Sequence, residues 1–168
     1  MARGARHPAS SKALPGASLS AALLVSNVLP VEVLSGVQAA ALGAWPFLRV
    51  LGDEEARRFL LLAPPHTSDS GMDRVALERA FTQNEALYDA LPSWSASFPE
   101  ARFALVEVEE VGGRCRYGGY VCQAGEVHDV VLASAAGDIL LLGALGIELG
   151  RPLGLVVREW LGSSTIDP

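Results

Sequence analysis

The chain is poor in the side chains that most often carry chemistry. Its 168 residues include two cysteines, three histidines and one lysine, Lys12. Two cysteines cannot build the disulfide framework of a small secreted domain. The absence of any Cys-x-x-Cys turn removes the usual ligand spacing of a structural zinc site. There is no glycine-rich phosphate cradle and no Gly-x-Ser-x-Gly elbow, so the motif-based readings of nucleotide hydrolysis and acyl transfer have nothing to stand on. Long hydrophobic runs are missing too. The run Leu19 to Val25 is interrupted by Ser26, Asn27, Pro30 and Glu32, short of the roughly 20 apolar residues needed to span a bilayer.

Half of the residues are hydrophobic and the mean hydropathy is +0.29. A chain of this length can bury about two-thirds of its unfolded surface in one core, so this content implies a well-filled core or apolar surface used in assembly. The net charge of −6 is unevenly spread. Arg3, Arg6 and Lys12 occupy the first twelve residues without an acid, which leaves −9 for the rest. An acidic body argues against nucleic acid as the partner, because that affinity comes largely from neutralising phosphates. It suits a basic protein surface, or self-association through apolar contacts.

Residues 1–16, rich in Ala, Ser, Pro and Gly, read as a flexible basic tail. Residues 17–168 read as a single α+β domain. The basic start followed by Leu19 to Val25 imitates a secretory signal, with Val37-Gln38-Ala39 imitating its cleavage site. A cytoplasmic protein is the expectation, with a secreted or anchored form as the alternative.

Along the chain, Pro30 is placed to start a helix in which Val33, Leu34, Val37, Ala40, Ala41 and Ala44 recur at helical steps. Arg58 to Ala63 reads as a strand closed by Pro64-Pro65. Met72 to Leu91 reads as an amphipathic helix ended by Pro92, with Leu77, Ala80, Phe81, Leu87, Tyr88 and Leu91 on its apolar stripe.

Beyond the linker 93–100, alternating runs are punctuated by turn dipeptides: Phe103 to Val111, Gly112-Gly113, Arg114 to Gln123, Ala124-Gly125, Glu126 to Ala133, a turn at 135–138, then Ile139 to Leu142 and Leu155 to Leu161. Gly-Gly readily supplies the positive φ angles of a two-residue hairpin. The expected fold class is therefore α+β: a C-terminal antiparallel meander of four or five strands packed against two or three helices on one sheet face.

The candidate site residues each carry a structural alternative. Cys115 and Cys122 lie seven apart on one strand, so strict alternation puts them on opposite faces. A bulge at Gly118-Gly119 would bring them together, with His128 on the next strand as a ligand or base. His66 and Asp69, with Ser68 and Ser70, sit on a loop ahead of a helix and offer groups for general-base chemistry or anion binding.

Glu107, Glu109 and Glu110 form an acidic cluster with two members sharing a face, expected as the wet side of the sheet. Arg114, Arg116, Tyr117 and Tyr120 mix cations and rings, but cross-strand Arg–Glu pairing explains them without a ligand. Trp94, in a serine-rich linker, is a candidate interface anchor.

The sequence thus points to a non-enzymatic interaction module, an adaptor, immunity-type inhibitor or assembly subunit, acting through Glu107, Glu109, Glu110 and Trp94. It calls for no cofactor and no metal. The alternative is a small-ligand-binding or hydrolytic domain with a pocket between helix 72–91 and the meander, using His66, Asp69, Cys122 and His128.

Overall fold

The computed structural model describes residues 18–25, 29–50, 60–63, 74–148, 150–153 and 155. Six strands hydrogen-bond into one antiparallel sheet: β1 (Ser18–Val25), β2 (Arg49–Val50), β3 (Leu60–Ala63), β4 (Arg102–Val111), β5 (Arg114–Gln123) and β6 (Glu126–Ser134). Their order is β2-β3-β1-β4-β5-β6. The described helices are α1 (Val31–Ala44), α2 (Arg74–Ser95) and α3 (Gly137–Ala144).

The fold is α+β with an antiparallel sheet. The apolar run that resembles a signal forms β1, which pairs with β4 over its whole length, from Ser18 opposite Glu110 to Val25 opposite Phe103, and with β3 on its other side.

The C-terminal meander consists of β4, β5 and β6 in consecutive pairing. Its first turn is the expected one, with Gly112 at φ 57° and Gly113 at φ 76°. Its second turn places Ala124 at φ 52° and Gly125 at φ 90°.

Among the described residues the meander does not continue into a fourth strand. Ile139 to Leu142 is helical, and the helix is closed by glycine-based capping. Gly146, at φ 71°, donates its N–H to the Gly143 carbonyl, and Ile147 donates to that of Leu142. These are the two bonds of a Schellman motif. Gly137 permits the turn from β6 into α3, because a Cβ there would overlap the Tyr117 carbonyl. Of the expected last strand, 155–161, only Leu155 is described, and its N–H reaches the Pro152 carbonyl in a helical turn.

Helices cover both sheet faces, not one. Odd positions of β4 and even positions of β5 face α1 and α2: Phe103, Leu105, Tyr120 and Cys122 pack with Leu34, Val37, Ala41, Leu87 and Leu91. The opposite positions, Ala104, Val106, Val108, Tyr117 and Val121, pack against Leu141, Leu142, Leu145, Ile147 and Leu153. β4 is therefore buried on both sides from Phe103 to Val108, and the polar–apolar alternation of a half-exposed strand gives way to a double-sided core strand.

α2 also runs past the point where its proline was expected to stop it, ending at Ser95. Pro92 cannot donate to the carbonyl four residues earlier, that of Tyr88, so this group lacks its helical partner. The Tyr120 hydroxyl donates to it instead, at 2.6 Å. The last turn is then tied to the β5–β6 hairpin: the Ser95 hydroxyl donates to the Pro92 carbonyl at 2.6 Å and accepts the Gly125 N–H at 3.0 Å.

Candidate functional site

The question of the two thiols is decided by where the bulges fall. The β4–β5 ladder is unbroken from Arg102 opposite Gln123 to Val111 opposite Arg114. Both register shifts lie between β5 and β6, where Tyr117 and Gly119 pair with Ser134 and Val131, and Val121 and Cys122 pair with Asp129 and Val127. In each case β6 carries the extra residue. β5 keeps strict alternation, so Cys122 is buried with the α1/α2 core while half-buried Cys115 packs against the α3 core.

His128 is exposed on β6. Among the described residues no three of His, Cys, Asp and Glu come together as metal ligands. His66 and Asp69 lie outside the described residues.

The same alternation places two of the three clustered acids. Glu107 and Glu109 share the α1/α2 face, as parity requires, and the side chain of Glu110 lies outside what the structure describes. The wet-side expectation fails at Glu107, which is only 9% exposed. Glu109 faces Arg116 across the ladder at 3.9 Å, and Arg116 also donates to the Ala133 carbonyl at 2.8 Å. The cation thus has sheet partners, and Tyr117 and Tyr120 are both core residues.

Trp94 is not an exposed linker residue. It stands in the last turns of α2 with its ring centroid 5.0 Å from Trp45, 5.2 Å from Phe98 and 5.4 Å from Phe103.

The space between α2 and β5 is occupied by packed side chains. The Tyr88 and Tyr120 rings meet edge to face at 4.9 Å. Burial raises the Cys122 thiol to about 11, partly offset by hydrogen bonding with Ser95. Burial also raises the Tyr120 hydroxyl well above the usual tyrosine range, with smaller contributions from Cys122, Tyr88, Asp89 and Glu107. Tyr88 is shifted in the same direction, again mainly by burial. These are protonated, structural groups, not poised nucleophiles.

Their linkage to pH has one sign. An unfolded chain releases the thiol proton near 9.0 and the phenol protons near 10.0. Above those values the folded state holds more protons than the unfolded one, and stability falls as pH rises. Tyr120→Phe removes one such group together with its hydrogen bond to the Tyr88 carbonyl. It is expected to cost about 1–3 kcal/mol at pH 7 and to flatten the alkaline loss above pH 10. Urea melts at pH 7 and across the alkaline range check both; an unchanged midpoint at pH 7 would remove the proline-rescue role assigned to this hydroxyl.

Two surface features remain. The first is β6, the terminal strand of the sheet. It leaves Val127, Val130 and Leu132 exposed at 45%, 61% and 70%, beside exposed Glu126 and Asp129. Val130 pairs with Tyr120 and so belongs to the α1/α2 face.

The second is a cavity of about 530 Å³ on the other side of the sheet, between α3 and the residues Ile147, Glu148 and 150–152. Asp138, 4% exposed, forms part of its wall. The pocket expected between helix 72–91 and the meander is not where this cavity lies. Sequence reading missed both features. The hydrophobic stretch Val127 to Leu132 was visible, but which strand ends the sheet was not. The signal for α3 was Gly146-Ile147, a cap and its apolar follower, rather than a turn.

No described helix is long and apolar enough to cross a membrane. No protein-family model, no curated protein and no solved structure matches this chain.

Proposed function

We propose that this protein is a non-enzymatic interaction module, working through a protein partner or a second copy of itself. The observation that carries the reading is the exposed apolar stripe of β6, Val127, Val130 and Leu132, on the outermost strand of the sheet. Three large apolar side chains at 45–70% exposure on one strand have a hydration cost that a partner surface would relieve. Glu126 and Asp129 of the same strand pair with Gln123 and Val121 and so lie on the opposite sheet face from Val127 and Val130, which leaves the apolar side chains themselves to carry the contact. Ile139 and Leu140 of α3, at 69% and 60%, add apolar surface on the opposite face.

The two bulges interrupt the outer edge of β6, a device that discourages simple strand addition. Side-chain contacts therefore carry this reading. Of the residues proposed from sequence, Glu109 retains a place as a half-exposed acid on the face that Val130 shares. The acidic balance of the chain disfavours nucleic acid as a partner. Two free thiols on opposite sheet faces suit a reducing compartment, and a cytoplasmic location for one domain spanning 17–168 completes the proposal.

The double variant Val130→Asp/Leu132→Asp tests it. Both side chains are mostly exposed, so melting should change little, within about 0.5 kcal/mol per site. Self-association in sedimentation, or binding of a partner captured from the source cells, should weaken at least about tenfold. A chain that stays monomeric at all concentrations and captures no partner that the double variant releases would overturn the reading.

A further inference from the structure

The cavity beside α3 lies on the sheet face opposite the β6 stripe that carries the interaction reading, and shares with that reading only Ile139. Its volume of about 530 Å³ falls within the roughly 300–1,000 Å³ of small-molecule sites. Its walls are mainly apolar, with Ile139, Leu142 and Ile147 prominent.

The walls are also held in place. The Schellman bonds fix Ile147 against the end of α3. The Arg102 guanidinium donates to the Ala144 carbonyl at 3.2 Å. The Asp138 carboxylate bridges the first turn of α3 to the far side, accepting Ile139 N–H at 2.9 Å on Oδ1 and Leu153 N–H at 3.1 Å on Oδ2.

This carboxylate is the chemically specific element. An ionised carboxylate offers about four lone-pair sites, and the two backbone N–H groups occupy two of them. Both donors are neutral backbone groups. Glu148 and Arg151 also line the cavity but are exposed, whereas Asp138 is buried. A buried carboxylate in a mainly apolar wall is complemented by a cationic N–H donor on an otherwise apolar molecule.

We propose that this cavity binds a small apolar molecule bearing a protonated amine, its ammonium held by Asp138 and its hydrocarbon body by Ile139, Leu142 and Ile147. Asp138 then serves twice, fixing the wall through two lone-pair sites and receiving the ligand through the others.

A matched set of probes tests this on the full-length, ¹⁵N-labelled chain: 1-adamantylamine, 1-adamantanol and adamantane-1-carboxylate, titrated at pH 7 by NMR. The amine is expected to shift the amides of Ile139, Leu142, Gly143 and Ile147 and to bind at least about tenfold more tightly than the carboxylate. Gly143→Trp should abolish these shifts. Gly143 lines the cavity, a Cβ there meets nothing within 4 Å, and replacing a helical glycine favours the helix, so the variant should fold. Asp138→Asn should remove the preference for the amine over the alcohol. If that variant unfolds, the probe comparison and Gly143→Trp still decide. The proposal is overturned if the amine leaves those amides unmoved at its solubility limit, if the carboxylate binds as tightly, or if Gly143→Trp leaves the affinity unchanged.

Discussion

Replacing Gly119 with alanine is expected to destabilise the fold by about 4 kcal/mol or more, the range reached only when a substitution meets a specific structural conflict. Two costs coincide at this position. The residue sits at φ 144°, a backbone conformation that L side chains rarely adopt. A Cβ built there also overlaps the Leu105 carbonyl of the neighbouring strand. Relief would require β4 and β5 to part where Gly119 pairs with Val106, and β4 lies between both cores. Domains of this size have only about 5–15 kcal/mol in total, so a large share of the stability is at stake.

Gly36→Ala is the control. It lies in α1 with nothing within 4 Å of its added Cβ, and should stabilise by roughly 0.5–1 kcal/mol. Urea melts of the two variants against the parent read both effects. A Gly119→Ala loss below about 1.5 kcal/mol, no more than an average substitution, would show that β5 yields more easily than this geometry implies.

The second large effect is expected at Phe103. Its side chain is fully buried, stands in register with Cys122 and Val25, and meets Trp94 edge to face. Trp94 in turn contacts Trp45 at the end of α1 and Phe98 beyond α2. Phe103→Ala removes the ring on which this cluster rests and should cost about 3–5 kcal/mol, the usual range for a truncated core phenylalanine. The change has an optical signature as well. Near-ultraviolet dichroism and tryptophan emission should shift in the folded variant, because the environments of both indoles change together. A melting loss without any change in the Trp signals would place the destabilisation elsewhere than in this cluster.

Much of the local structure was legible from residue patterns. The Gly112-Gly113 and Ala124-Gly125 hairpins follow from turn chemistry that acts within four residues. The helical spacing from Val33 to Ala44 locates α1, because an amphipathic period needs no knowledge of its partner.

The errors arose where local signals are ambiguous or a distant group intervenes. Ile139 to Leu142 is a short apolar run, and such runs fit a buried strand and a buried helix equally well. Pro92 normally ends a helix, yet α2 passes it because a tyrosine 32 residues away along the chain supplies the missing donor. Trp94 looked exposed because its neighbours in sequence are serines, whereas its neighbours in space are Trp45, Phe98 and Phe103.

The candidate sites divide along the same line. Period-two alternation within β5 was enough to place Cys115 and Cys122 on opposite faces, since the side-chain period belongs to the strand itself. Whether the paired glycines would break that period depended on which strand absorbed the extra residues, and pairing placed them on β6. Strand order made β6 the outermost strand, leaving Val127, Val130 and Leu132 uncovered. Packing of α3 on the second face created the cavity beside Asp138. Sequence by itself determined the turns, the helical periods and the alternation of β5, because each arises from short-range sterics and hydrogen bonding. Only the tertiary structure decided which strand ends the sheet, what covers each face and where a buried carboxylate borders empty space, because those are outcomes of non-local pairing.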